Sequence, residues 1–157
     1  MSSTFFTVPA GMVRELRTGL HSVLGQAAQD VSIVTDRKGR ERHPEWYRDP
    51  LRRFDRARAL LDLIGWAETG PPEDVLIDLS TYCWALLEAL DVALLVGCDD
   101  IMEARKTSRR KPKRRKAKPT DDSERERTVV RVLVLRRFIL TVEQQVRKLG
   151  LREGEPS

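Results

Sequence analysis

The sequence predicts an all-α protein, an antiparallel bundle of about four helices with a disordered basic loop before the last of them. Three observations carry this. Apolar residues recur at three- and four-residue spacings in four separate stretches, as they do in amphipathic helices. Stretches of Gly, Pro and charged residues without apolar periodicity separate them. At 157 residues the chain fits a single domain, 1–157, with one core and no second independent half. With 40% apolar and 34% charged residues, it holds too many hydrophobes to be disordered throughout. No period of 20 to 50 residues repeats, so a solenoid is set aside.

Helix one is expected over 9–32, on the stripe Val13, Leu16, Leu20, Val23, Ala27. Pro9 suits a first helical turn because its missing amide would have no partner there anyway. Gly11, Gly19 and Gly25 lower helix propensity and mark close packing or a bend. Thr4 to Val8 is β-prone, but a lone strand has nothing to satisfy its ladder, so it is read as irregular. Helix two is expected over 50–67, with Asp49 as N-cap, Pro50 at the first position and a face of Leu51, Phe54, Ala57, Leu61 and Ile64. Thr69-Gly70-Pro71-Pro72 then stops the chain and restarts it.

Helix three, 72–104, has Glu73 and Asp74 in its first turn, where the helix dipole favours acids. Its apolar set, Leu76, Leu79, Cys83, Leu86, Leu90 and Ala93, is widened by Val75, Ile77, Tyr82, Trp84, Leu87, Leu94 and Leu95, so it is read as the central helix with a break near Gly97. Helix four, 123–149, opens on Ser123 and Glu126 at capping-box spacing and carries Val132, Leu135, Ile139, Val142, Val146 and Leu149, with Gly150 as its stop. Its β-branched start, Thr128 to Leu135, reads alternatively as a strand.

Charge is segregated along the chain. Between Ala59 and Ala104 there are ten acidic residues and no Lys or Arg; between Arg105 and Lys118 there are ten basic residues and no acid. Against a formal net charge of +5, removing that basic run leaves −5 on everything else. Pro112 and ten mutually repelling cations favour an extended coil, a loop over 105–122. Such a run suits nucleic-acid phosphates through Arg109, Arg110, Lys111, Lys113, Arg114, Arg115 and Lys116, because each cation displaces condensed counterions. It contains no aromatic residue for base stacking, so contact is expected to ignore sequence. An acidic protein is the other partner of that chemistry. The alternative is a solvated linker that offsets the acidic helix.

Catalytic patterns are missing. His21 and His43 are the only histidines, and neither is arranged with a nucleophile. The residues three before them are Thr18 and Arg40, not the Glu of a di-metal bundle site. No phosphate loop and no zinc spacing occurs, so no catalytic residue, metal or cofactor is assigned. One polar cluster, His43, Glu45, Trp46, Tyr47, Asp49 and Arg53, gathers a base, carboxylates and aromatics at a loop-to-helix corner. It reads either as a ligand corner or as aromatic anchors beside a helix cap. Asp78 and Glu88, ten residues apart on one helical face, read as a cation site or as an Arg-paired stripe.

The N-terminus lacks the basic and apolar parts of a signal peptide, and Glu88 and Asp91 interrupt Leu79 to Cys98, so neither export nor a membrane span is expected. Cys83 and Cys98, roughly 22 Å apart on an unbroken helix, cannot bridge. That suits a reducing cytoplasm. Val130, Val134 and Phe138 look surplus to one core and suggest a homodimer through helix four. The function expected is that of a non-enzymatic interaction or accessory protein using the basic loop, the alternatives being a small-molecule-sensing bundle and an unrecognised enzyme.

Overall fold

The structure is a computed structural model that describes residues 3–34, 44–110 and 119–151. In chain order it contains β1 (Phe5–Val8), α1 (Ala10–Val34), α2 (Pro44–Ile64), β2 (Val75–Asp78), α3 (Leu79–Arg110) and α4 (Pro119–Lys148). Among the described residues, four long helices form the body and the strands form one small antiparallel ribbon. The all-α bundle expected from the apolar spacing is the fold.

The ribbon is the chief departure. Thr4 to Val8, read as irregular for want of a partner, pairs with Val75–Asp78, which were read as part of helix three. Phe6 stands opposite Ile77 and Val8 opposite Val75. These four side chains face the core, with Val8 and Ile77 fully buried, while Phe5 and Leu76 on the other face are more than half exposed. The expected core residue Leu76 is therefore a surface residue. A period of two fits this four-residue run as well as a helical period does, and only a partner 70 residues away decides between them.

With the strand ending at Asp78, the cap of α3 moves there. Asp78 Oδ1 accepts from the Ser80 amide at 3.1 Å and from the Ser80 hydroxyl at 2.7 Å, and the Thr4 hydroxyl donates to it at 2.7 Å across the ribbon. These bonds, that of Ser80 first, hold the Asp78 carboxyl below its ordinary value. Asp74, expected in the first turn of helix three, instead accepts the Ala10 amide of α1 at 2.8 Å. Each of these acids thus stands at a helix N-terminus, where backbone donors lack intrahelical partners.

α3 is the centre of the molecule. Leu79, Leu86 and Leu90 are fully buried on it, and they meet Leu16, Leu20 and Val23 of α1, Leu60 and Leu61 of α2, and Leu135 and Val142 of α4 in one cluster. By length and composition the segment Leu79–Glu103 is apolar enough to cross a membrane; here it is the helix on which the rest of the core is built. Two glycines set how closely its neighbours approach. A Cβ on Gly19 would overlap the backbone carbonyl of Ala89, and one on Gly97 would lie 2.6 Å from the Cγ2 methyl of Val132. Gly97 therefore marks a close crossing with α4, not the expected break, and α3 continues unbroken. Gly11 and Gly25 meet nothing within 4 Å, so of the three glycines of α1 it is Gly19 that marks close packing.

α2 begins at Pro44, ahead of Asp49, and carries Pro50 inside it. Asp49 is consequently an exposed helical residue and not the cap, and Pro50 withholds one backbone donor from the helix. α2 stops at Ile64, followed by Gly65 at φ 96°, where the side chain of any other residue would be strained. At the end of α4, the Gly150 amide donates to the Arg147 carbonyl and the Leu151 amide to that of Val146, at 3.0 and 3.1 Å. This paired reversal is a Schellman stop, and Leu151 packs on the core behind it.

Candidate functional site

The cationic run joins the two helices of one hairpin. α3 carries it as helix through Arg110, and α4 begins at Pro119, so the helices take both ends of the 105–122 stretch expected as loop. Arg109 and Arg110 fall in the last turn of α3, where positive charge is favoured by the helix dipole. Lys111, Lys113, Arg114, Arg115 and Lys116 lie outside the described residues. Because Gly97 packs on Val132 and the chain reverses between the helices, α3 and α4 are antiparallel, and Arg110 and Pro119 stand at the hairpin's far end.

Of the corner expected around helix two, Asp49 and Arg53 are described with their side chains. His43 lies outside the described residues, and Glu45 and Trp46 open α2. Arg53 reaches α3 and α1: its Nε donates to Glu88 of α3, and Asp30 of α1 stands 3.6 Å from its second nitrogen. Glu88 is thus Arg-paired, and Asp78 sits on the ribbon, so the two acids share no helical face and no cation site. Arg56 covers the Trp84 ring at 5.9 Å from its centroid. These contacts fasten α2 to α3 and α1.

A polar cleft of about 240 Å³ that the sequence did not suggest lies between α1 and the connection to β2. Arg14 is ion-paired with Glu68 at 3.1 Å, and Arg17 donates to the carbonyls of Gly65 and Ile64. Beside it His21 donates from Nε2 to the Trp66 carbonyl, and the Trp66 indole donates to Asp62. Arg17 and His21 occupy the orphan carbonyls at and past the end of α2, while Arg14 pairs with the Glu68 carboxylate. Nothing in the residue order signals this, because the partners come from elements about 45 to 54 residues apart.

Two further features bear on chemistry. Cys83 is buried and Cys98 partly so, both free, and burial pushes the Cys83 thiol up, away from the reactive thiolate. Among the described residues no group of three His, Cys, Asp or Glu side chains could hold a metal ion. Phe138, expected to be surplus on helix four, stacks against Phe6 of the ribbon with ring centroids 5.9 Å apart and is partly buried. Val130 and Val134 are exposed, as expected for that face. Comparison with protein-family models, curated proteins and solved structures finds no match to the chain.

Proposed function

We propose that this chain is a non-enzymatic accessory protein that holds nucleic acid through the phosphate backbone, using the cationic run at the tip of the α3–α4 hairpin. The observation that supports the reading is the position of the run. Of ten cations without an acid, four lie on the last turns of α3 and the other six join it to α4, and both helices are anchored in the core by Leu90 and Leu135, so the bundle is a mount and the run is the contact. The free thiols suit a reducing, cytoplasmic setting. The engagement of Arg53 by Glu88 and Asp30 favours this reading over a ligand corner at helix two.

The run has no aromatic side chain, so affinity comes from counterion release and not from stacking or base edges. With about five phosphates contacted, log affinity falls with log salt at a slope of about −4.5, which weakens binding several-hundred-fold between about 50 and 200 mM. Fluorescence anisotropy with random duplex and single-stranded DNA tests this. The comparison protein carries Gln at Arg109, Arg110, Lys111, Lys113, Arg114, Arg115 and Lys116, which removes charge without shortening either helix. Loss of binding in that variant is expected. Equal affinities, or no binding by either protein at low salt, would make the run a solvated linker and leave an acidic protein as the partner to seek.

A further inference from the structure

Among the described residues α4 makes its contacts from one side. Leu135, Ile139, Val142 and Val146 point into the core, Val132 meets Gly97 of α3, Arg131 reaches Glu15 of α1, and Phe138 packs on Phe6 of β1. At about 100° per residue all of these lie within about 60° of Leu135 around the helix. Val129, Val130, Leu133 and Val134 lie about 100° to 160° away from it, on the opposite side. All four are exposed, Val130 and Leu133 to 58%. They form one outward apolar patch on two successive turns.

Two opposite charges bracket this patch. Glu126 stands one turn before Val130 and Arg137 one turn after Leu133, and both are exposed. They differ by only about 20° around the helix and lie on the midline of the patch. The midpoint between Glu126 and Arg137 falls between Arg131 and Val132, and so does the midpoint of the four apolar residues. A two-fold axis through that point, perpendicular to α4, therefore lays Val130 on Leu133, Val129 on Val134 and Glu126 on Arg137 of a second copy. A parallel pair would lay Glu126 on Glu126 and Arg137 on Arg137, so charge selects the antiparallel one. Arg127 and Arg136 flank the face about 90° to either side, and the rotation puts Arg127 of one copy and Arg136 of the other on opposite edges of the pair.

We propose that the Val129, Val130, Leu133, Val134 patch is the interface of a homodimer in which two α4 helices pack antiparallel, closed at each end by Glu126 of one copy against Arg137 of the other. The apolar residues exclude water at the centre, and the charges fix register and direction. Phe138, expected to join Val130 and Val134 in a pairing of this helix, lies on the core side instead. The pairing does not depend on the nucleic-acid reading; it sets Pro119 of the two copies at opposite ends of the dimer.

Sedimentation equilibrium of the full chain at tens of micromolar tests the pairing. A dimer is expected, weakened about tenfold or more by Val130→Glu and by Leu133→Glu, with helical circular dichroism unchanged because both sites are exposed. Direction is tested by charge. Glu126→Arg alone and Arg137→Glu alone should each weaken the dimer several-fold, since each sets like charges together at both ends, and the protein carrying both changes should recover the parent's affinity. In a parallel pair the single changes would exchange one like-charge contact for another and leave association as it was. A monomeric parent protein, a dimer indifferent to Val130→Glu and Leu133→Glu, or a dimer lost through Leu95→Glu instead would overturn the proposal. Single charge changes without effect, or a double variant no tighter than the singles, would overturn the antiparallel arrangement.

Discussion

Gly19 of α1 rests against the backbone carbonyl of Ala89 on α3, so closely that a Cβ at Gly19 would occupy the carbonyl's own space. The crossing is thus set by backbone against backbone, with no flexible side-chain end to give way. Gly19→Ala should destabilise the fold by about 2 to 3 kcal/mol, because overpacking outweighs the roughly 1 kcal/mol that Ala gains over Gly in a helix. Gly25, on the same helix with nothing within 4 Å of its would-be Cβ, is the control: Gly25→Ala should stabilise by about 0.5 to 1 kcal/mol. Urea denaturation of both variants measures the difference, and a neutral Gly19→Ala would mean that the helices cross elsewhere.

The helices were legible because their information is local. Leu16, Leu20 and Val23 on α1, and Leu86, Leu90 and Ala93 on α3, recur at the helical period and all are buried. The ribbon was not legible, since Phe6 and Ile77 make a pair only once the chain has brought them together. The same reason hid the caps. Asp74 satisfies α1, 64 residues away, though the residues nearest it in sequence suggested a helix of its own. At the candidate site the cationic run could be read as charge, whereas the hold of Arg17 and His21 on the carbonyls past α2 could not, because those partners are 45 to 48 residues away. By spacing Leu95 counts with the widened apolar face of helix three, but it lies about 160° around the helix from Gly97 and is 64% exposed.

The hydroxyls of Thr4 and Ser80 donate to Asp78 where β1, β2 and α3 meet, and they make its ionised form more favourable in the folded chain. The folded value is lowered from an ordinary 3.8. Stability from this carboxylate is therefore fully present above that value and is lost as pH falls through the lower, folded value. Thermal melts from neutral pH down to about pH 2 should show the parent protein losing stability in that window. Asp78→Asn should be less stable at neutral pH and should lose less on acidification. Parallel profiles for the two proteins would show that the ribbon bonds do not favour the ionised acid.

Glu15 on α1 is the buried charged residue of the described core, and Arg131 of α4 reaches it at 3.2 Å. Its side chain is 11% exposed against 48% for the arginine, so the two halves of the pair respond differently to loss. Arg131→Met leaves a carboxylate in a poorly hydrated place and should cost about 3 kcal/mol, the range for breaking a buried pair. Glu15→Leu leaves an arginine that can turn to water and should cost less. Replacing both with apolar residues of similar size should return stability to within about 1 kcal/mol of the parent, because the desolvation of the carboxylate disappears with its partner. A double-mutant cycle by chemical denaturation measures all three. The expected coupling makes the loss in the double variant well below the sum of the single losses. Additive losses would mean that Arg131 and Glu15 hold α4 to α1 by packing of their stems and not by charge.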